Sequence, residues 1–294
     1  MSMRKYLSKQ GSNNADINVG LIGSGIQESR SPLMHIREAE AQQFSLNYDL
    51  FDLDYFDLNL INLEDFLDEI ENAGYTGINV THPCKQTIIK YLDEITTEAS
   101  DLGAVNTILF KKGKRYGHNT DWQGFYASLK ISLPDVSKES VIQLGAGGAG
   151  SAVAYALAKT GIKTIYIYDL DTDKTKALVK RLTNRFKDID FIIPDNIKFV
   201  ANNCNGIINT TPIGMKKYPG MPLPSEYLLP DHWLADVIYF PLETKLLKAA
   251  RKLGCKTLDG SGMAIHQACE AFKLFTNKQA NVDRMAQTFF NEFS

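Results

Sequence analysis

The chain has 294 residues, with 32 Lys and Arg against 34 Asp and Glu and a formal net charge of −2. That length fits two domains or one large one, and charge this evenly spread attracts no polyanion, which argues against nucleic acid or a membrane surface as partner. A composition 44% hydrophobic and 22% charged, with 10 Pro and 21 Gly, is that of an ordinary globular protein and excludes disorder, collagen and fibre. The four cysteines (Cys84, Cys204, Cys255, Cys269) include no C-x-x-C pair and are too sparse for a disulfide framework, so a reducing compartment is expected. Residues 1–16 are polar and lack the apolar run of a signal peptide, and no stretch of about 18 apolar residues could span a bilayer. The expectation is a cytoplasmic enzyme or binding protein.

In chain order, about 15 residues read as a frayed tail, followed by short apolar runs alternating with helix-length amphipathic segments. Ile17–Gly23 is a predicted strand, Pro32–Gln43 a helix, Leu46–Leu53 a strand and Leu63–Ala73 a helix. Gly77–Val80 is again strand-like, with a helix from Pro83 to Leu92. The pattern then restarts: strand Val141–Leu144, helix Ala149–Lys159, strand Thr164–Tyr168 and helix Thr172–Arg185. Later strands are expected at Gly206–Asn209 and Leu234–Ile238, a helix at Glu243–Leu253, and two helices from Met263 onward. Strands separated by helical segments imply βαβ units around mostly parallel sheets. The fold class is α/β, in two domains with a junction near residues 120–140.

The sharpest motif lies in the second domain. Val141-Ile-Gln-Leu runs into Gly145-Ala146-Gly147-Gly148-Ala149-Gly150, a G-x-G-x-x-G between a strand and a helix. Gly145 makes the tight turn, Gly147 lets backbone amides approach a pyrophosphate, and Gly150 lets helix pack on strand. A second strand ends in Asp169, 24 positions after Gly145, about where a ribose-binding acid belongs. Asp169-Leu-Asp171-Thr-Asp173 carries three carboxylates and no arginine before Arg181. A carboxylate binds two ribose hydroxyls but repels a 2′-phosphate. NAD is therefore favoured, and NADP is the alternative that nearby Lys174 and Lys176 leave open.

Three segments of the first domain put polar side chains at the carboxyl ends of predicted strands, where open α/β sheets bind ligands. In Ser29-Arg-Ser31-Pro32, Pro32 suits the first position of a helix. Ser31 is then an ordinary N-cap and Ser29 idle, or both hydroxyls bind an anion such as a carboxylate. In Asn79-Val-Thr81-His82-Pro83-Cys84-Lys85, Pro83 again marks a helix start. Lys85 is either a surface lysine or a proton-transfer group placed against the helix dipole. In Asn119-Thr120-Asp121-Trp122-Gln123, Thr120 and Gln123 match a capping box, which explains Asp121 as a first-turn acid without any function. Together the three would supply a lysine, a carboxylate and several hydroxyls or amides beside a nicotinamide. The five histidines show no H-x-x-x-H or finger spacing, and neither a G-x-S-x-G elbow nor a Walker A loop is present, so no metal is expected.

These residues resemble the shikimate dehydrogenase family, in its shikimate/quinate branch, through nearly the whole chain. Ser29-Arg-Ser31-Pro32 is similar to the family's carboxylate clamp, and Asn79-Val-Thr81-His82-Pro83-Cys84-Lys85 to N-V-T-x-P-x-K, whose lysine is catalytic. Gly103-Ala-Val-Asn106-Thr107 resembles G-A-V-N-T, whose asparagine binds a substrate hydroxyl. Gly117-His-Asn119-Thr120-Asp121 resembles the segment whose aspartate partners the lysine. Asn209-Thr-Thr211-Pro212-Ile-Gly-Met215, Val237 with Tyr239, and Asp259-Gly260-Ser-Gly-Met263 fall where the family borders the nicotinamide. Gln267 falls at a substrate-binding glutamine.

The resemblance implies a substrate-binding domain of residues 1–120 plus 263–294 and a Rossmann-type domain of residues 121–262. It implies an NAD(P)-dependent oxidoreductase interconverting shikimate and 3-dehydroshikimate at C3, with Lys85 and Asp121 catalytic. Ser29, Ser31, Asn79, Thr81, Asn106, Asp121 and Gln267 would bind substrate, and the protein would be a monomer or homodimer. Two departures matter. Many NADP-using members have Asn-Arg-Thr where this chain has Asp169-Leu-Asp171-Thr, in keeping with NAD. Some quinate-preferring members have threonine at the place of Ser31, so serine favours shikimate, with quinate a second substrate. The rival readings are a quinate-first catabolic dehydrogenase and a non-catalytic NAD- or metabolite-sensing protein on the same fold.

Overall fold

The computed structural model describes residues 15–55 and 62–291, so the tail expected at the amino terminus lies outside the described residues. The chain divides into two compact units, residues 1–120 with 268–294 and residues 121–267.

The first unit is built on strands β1 (Ile17–Gly23), β2 (Leu46–Asp52), β3 (Gly77–Val80), β4 (Glu94–Ile95), β5 (Thr107–Lys111) and β6 (Lys114–His118). Their order in the sheet is β2-β1-β3-β5-β6-β4. β1 is parallel to both β2 and β3, which brings Gly23 opposite Asp52 and Ile22 opposite Val80 at the carboxyl ends. The other half departs from the mostly parallel expectation, because β5 runs antiparallel to β3 and to β6. The hairpin turns on Lys112 and Gly113, both at positive φ (55° and 68°). Two left-handed residues match the twist of a two-residue hairpin. Lys-Gly is a weaker turn signal than Asn-Gly, and the hairpin is not among the predicted elements.

Helices α1 (Ser31–Ala41) and α2 (Leu63–Asn72) follow the first two strands. Asn62 caps α2 by accepting from the Glu64 amide, and Phe66, Leu67 and Ile70 form its buried stripe. That stripe joins Ile22, Phe51, Ile78, Val80 and Ile108 in one core. The helix expected over Pro83–Leu92 is shorter: α3 covers only Cys84–Thr87, and a 3-10 turn continues over Ile88–Tyr91. One turn carries little macrodipole, so the field argued for Lys85 from a full helix loses its basis. After α4 (Thr97–Leu102), Gly103 at φ 63° ends that helix and turns the chain toward β5.

The second unit holds α5 (Asp121–Ser132), β7 (Ser140–Leu144), α6 (Gly148–Lys159), β8 (Thr164–Tyr168), α7 (Thr172–Arg185), β9 (Asp190–Ile192), α8 (Ile197–Asn203), β10 (Gly206–Asn209), β11 (Trp233–Asp236), α9 (Lys245–Lys252) and β12 (Lys256–Leu258). Its sheet order is β12-β11-β10-β7-β8-β9, with every pair parallel. In chain order from β7 that is 6-5-4-1-2-3, the doubly wound dinucleotide-binding arrangement, with its switch point between β7 and β10. β9, β12 and α8 are too short to stand out as periodic segments and are absent from the predicted elements. Helix α10 (Ser261–Thr276) runs from the second unit into the first by chain division, and α11 (Val282–Asn291) belongs to the first.

Within the first unit, α11 is tied to α1 through Glu38, which is wholly buried. Arg284 donates to it through Nε at 2.6 Å, the Asn281 amide at 2.9 Å and Gln42 at 2.7 Å. Burial opposes ionisation, but these bonds outweigh it and hold the Glu38 carboxyl below its ordinary range. One turn before it, His35 is buried against Tyr48, Phe272 and Phe275, with ring centroids 5.0, 5.9 and 6.0 Å away. His35 Nδ1 lies 2.9 Å from the Ser31 carbonyl, which makes Nδ1 the protonated nitrogen, and Nε2 has no partner. Burial pushes His35 down to about 4 from about 6.5. A depressed folded value means stability present above pH 6.5 and lost as pH falls toward 4. Against His35→Leu, wild type is expected to lose about 2–3 kcal/mol of unfolding free energy between pH 7 and pH 4.5, as urea melts would measure. Parallel pH curves for the two proteins would refute it.

Candidate active site

At the carboxyl end of β1 the chain enters the loop 24–30 that carries Ser29. Asp52, at the end of β2, organises this loop: its Oδ1 accepts from the Gly25 amide at 2.9 Å and the Asp54 amide at 3.1 Å. Its Oδ2 accepts from the Ile26 amide at 3.1 Å and Gln27 Nε2 at 3.0 Å. Burial alone would raise the Asp52 carboxyl, yet four donors hold it below the ordinary carboxylate range. Helix α1 begins at Ser31 with Arg30 as its N-cap, and the Arg30 side chain makes no capping bond. The N-cap explanation of Ser31 therefore fails. Ser29 Oγ accepts from the Ser31 amide at 3.4 Å, and both serines are half-buried. Between them Arg30 donates to the Phe289 carbonyl at 2.8 Å and stacks on its ring.

The segment after β3 meets the start of β5 through backbone and side chain. The Val105 amide donates to the Lys85 carbonyl at 2.8 Å and the Val80 amide to the Asn106 carbonyl at 2.7 Å. Asn106 is buried. Its Oδ1 accepts from the Thr120 amide at 2.8 Å and Thr107 Oγ1 at 3.0 Å, while Nδ2 donates to Thr120 Oγ1 at 2.9 Å. Asn119 Nδ2 donates to the Ala104 carbonyl at 2.9 Å. Asn106 thus gathers N-V-T-x-P-x-K, G-A-V-N-T and N-T-D at one end of the sheet. Asn79 serves that framework: its Oδ1 accepts from the Tyr48 hydroxyl at 2.8 Å and its Nδ2 donates to Thr107 Oγ1 at 3.0 Å. Lys85 and Thr81 are half-buried, and Asp121 is the buried first residue of α5.

In the second unit Gly145, at φ +107°, turns the chain out of β7, and its amide donates to the Tyr168 carbonyl at 2.7 Å. A Cβ on Gly150 would lie 2.3 Å from the Gly145 carbonyl oxygen, whereas one on Gly147 meets nothing. Gly147 therefore answers no demand of the protein's own packing, and its open side is where a ligand can approach backbone. Asp169 Oδ2 accepts from the Ala146 amide at 2.7 Å and Oδ1 from the Asp171 amide at 2.9 Å. Gly148 and Ala149, half-buried, form the first turn of α6. Asp171 is the N-cap of α7, accepting from the Lys174 amide at 3.1 Å and pairing with Lys174 Nζ at 3.1 Å. Its carboxylate is thus engaged at the helix end, in an ion pair with Lys174 in which both side chains stay about half exposed.

Two loops leave the carboxyl ends of β10 and β11, and a buried pair holds both. Asn209 Oδ1 accepts from the Thr211 amide at 3.0 Å and the Thr211 hydroxyl at 2.7 Å. Asn209 Nδ2 donates to Asp236 at 3.0 Å and to the Ile213 carbonyl at 3.1 Å. Asp236 also accepts from the Ile238 amide and the Thr244 hydroxyl. Pro212 is exposed, and the Met215 amide donates to its carbonyl. Val237 and Tyr239 lie half-buried in the second loop. The Gly260 amide reaches the Ile238 carbonyl at 3.1 Å, and a Cβ on Gly260 would strike Val237. Met263 is buried, and Gln267 donates to the Ala264 carbonyl at 3.1 Å within α10. Asp52, Asn209 and Asp236 are absent from the predicted site residues; Asn209 heads a motif the sequence singled out, and for Asp52 and Asp236 a polar residue closing an apolar strand was the only signal. Among the described residues, no group of three or more His, Cys, Asp or Glu could hold a metal ion, and no helix is long and apolar enough to cross a membrane.

A parallel sheet in this order, a glycine turn at its switch point and an acid closing the next strand define a dinucleotide-binding α/β protein. Residues 21–108 match the shikimate dehydrogenase substrate binding domain, and residues 260–288 the shikimate 5'-dehydrogenase C-terminal domain. The chain is 45% identical over 269 residues to a shikimate dehydrogenase (NADP(+)) of Streptomyces avermitilis, covering 91% of this chain and 92% of the relative. It is 43% identical over 281 residues to a quinate/shikimate dehydrogenase (NAD(+)) of Corynebacterium glutamicum, covering 95% and 99%. The solved quinate dehydrogenase from Corynebacterium glutamicum in complex with NAD aligns with a TM-score of 0.87 at 42% identity, over 94% of this chain and 99% of that one. The chain belongs to the shikimate dehydrogenase family and is an oxidoreductase.

Burial pushes the Asp236 carboxyl up to about 6, against the bonds from Thr244, Ile238 and Asn209. A raised folded value gives stability that is full below about pH 4 and lost as pH rises through 6. Relative to Asp236→Asn, wild type is expected to lose about 2 kcal/mol between pH 4.5 and pH 7, opposite in sign to the His35 effect. Denaturant melts of the two proteins at both pH values check it.

Proposed function

We propose that this chain is an NAD-preferring shikimate dehydrogenase that interconverts shikimate and 3-dehydroshikimate at C3 and also accepts quinate. The observation that carries the reading is the Asn106 junction, where three polar segments with a lysine and a neighbouring aspartate converge. Quinate is included because a relative 43% identical over 95% of the chain bears both substrates in its name.

In this reading the Ser29 and Ser31 hydroxyls donate to the substrate carboxylate: Ser31 is not the N-cap of α1, and Ser29 Oγ accepts the Ser31 amide while keeping its own proton to donate. The Thr81, Asn106 and Gln267 side chains bind ring hydroxyls, and Asn79 supports them from within the sheet. Lys85 takes the C3 hydroxyl proton during oxidation and returns it during reduction, with Asp121 as its partner. NAD, when bound, accepts the hydride from C3. The glycine turn fits a pyrophosphate through the open side of Gly147 and the amide end of α6, a helix of 12 residues. Each Asp169 oxygen accepts one backbone amide and keeps lone-pair capacity for a ribose hydroxyl. Lys174 pairs with Asp171, so a 2′-phosphate there would have to compete with that carboxylate for it. Thr211, Pro212, Met215, Val237, Tyr239, Gly260 and Met263 are assigned to the nicotinamide end. The substrate-binding domain is residues 1–120 with 263–294 and the dinucleotide domain residues 121–262. The buried, unbonded cysteines support a reducing, cytoplasmic setting.

Initial rates of NAD reduction with shikimate and with quinate at equal concentration test the assignment. Lys85→Ala and Asp121→Asn are each expected to lower kcat by about 10²–10⁴ while the fold, seen by circular dichroism, is kept. Turnover of Lys85→Ala within a few-fold of wild type would overturn the mechanism.

A further inference from the structure

β7 reads Ser-Val-Ile-Gln-Leu, and Gln143 sits in it wholly buried, between apolar neighbours on the sheet's central strand. A buried amide is costly there unless its bonds repay the lost hydration. Gln143 makes only part of its complement: Oε1 has no partner. Its Nε2 donates twice, to the Gly145 carbonyl at 2.8 Å and to the Gly150 carbonyl at 2.9 Å. The orientation is unambiguous, because only the NH₂ end can face two carbonyl oxygens.

Those two carbonyls belong to the first and last glycines of the G-x-G-x-x-G turn. From the other side, Thr210 Oγ1 donates to the Leu144 carbonyl at 2.8 Å and lies 3.1 Å from the Gly145 carbonyl. Asp169 holds the Ala146 amide from the third direction. The turn is thus fixed at Gly145, Ala146 and Gly150, while Gly147 to Ala149 are left for a ligand.

We propose that Gln143 is a positioning residue for the dinucleotide: its amide staples the two ends of the glycine turn and keeps the Gly147–Ala149 amides aimed at the pyrophosphate. The staple is retained at the expense of the fold, since its orphan oxygen gains nothing in the core. A purely structural glutamine would behave otherwise, because replacing it would cost stability and leave cofactor affinity alone. The inference rests on the reading of this turn as the NAD site.

The test substitutes Gln143→Met, close in shape, and Gln143→Leu, and measures the melting temperature and the Kd for NAD by calorimetry on the full chain. Both variants remove the orphan acceptor together with the staple. The expected result is a melting temperature equal to or above wild type with a Kd for NAD raised about tenfold. In steady state the KM for NAD should rise while kcat and the KM for shikimate stay within about twofold. NAD affinity within twofold of wild type in both variants would overturn the staple, as would a fall in melting temperature with affinity unchanged. Wild type that fails to bind NAD at all would instead overturn the cofactor-site reading on which it rests.

Discussion

No side chain fits between the two ends of the glycine turn: a Cβ on Gly150 would come within 2.3 Å of the Gly145 carbonyl oxygen. That contact lets α6 start directly over the end of β7, the strand at which the sheet's winding reverses. The neighbouring strands then lock the turn, β8 through the Tyr168 carbonyl and Asp169, β10 through Thr210. What remains open is a row of backbone amides at a helix start, in the place where doubly wound sheets bind phosphates. The function of the second unit follows from this one steric requirement.

The first unit solves a similar problem with side chains instead of glycine. Two buried polar side chains at its strand ends, Asp52 closing β2 and Asn106 just before β5, would be costly if unpaired, and both are paired. Asn106 links the segments ending in Lys85, Asn106 and Thr120; Asp52 collects four donors to shape the loop before Ser29. Rigid surroundings of this kind place hydroxyls and an amine without help from long helices, which matters because α3 is a single turn. In both units buried polar groups hold the loops at the carboxyl ends of the strands.

The glycine turn was legible in the sequence because its demands are local: the six consecutive positions from Gly145 to Gly150 determine the turn and the helix start. The inner parallel strands were legible for the same reason, through strand and helix periodicity, while the short edge strands β9 and β12 were not. The β5–β6 hairpin was not, because Lys112-Gly113 adopts two left-handed residues without the asparagine or aspartate that normally signals them. Ser29 and Ser31 were ambiguous because a serine before Pro32 reads equally as a cap; the start of α1 at Ser31, with Arg30 as N-cap, removes that reading for Ser31. The supporting roles of Asp52, Asn209, Asp236 and Gln143 were not legible, although Asn209 heads a motif that was. Asp52 and the Asn209–Asp236 pair bond across 27 residues, which pattern rules do not see, whereas Gln143 bonds only 2 and 7 residues away and was hidden as one polar residue in an apolar strand.

The central claim is that Asp169, joined to the turn through the Ala146 amide, makes this a protein for NAD even though relatives of comparable identity are named for NADP(+) and for NAD(+) alike. The dissociation constants of NAD and NADP, measured by calorimetry on wild type and Asp169→Asn, bear on it most directly. The account predicts that wild type binds NAD at least tenfold more tightly than NADP, and that removing the charge narrows the gap. NADP bound as tightly as NAD by wild type would contradict it.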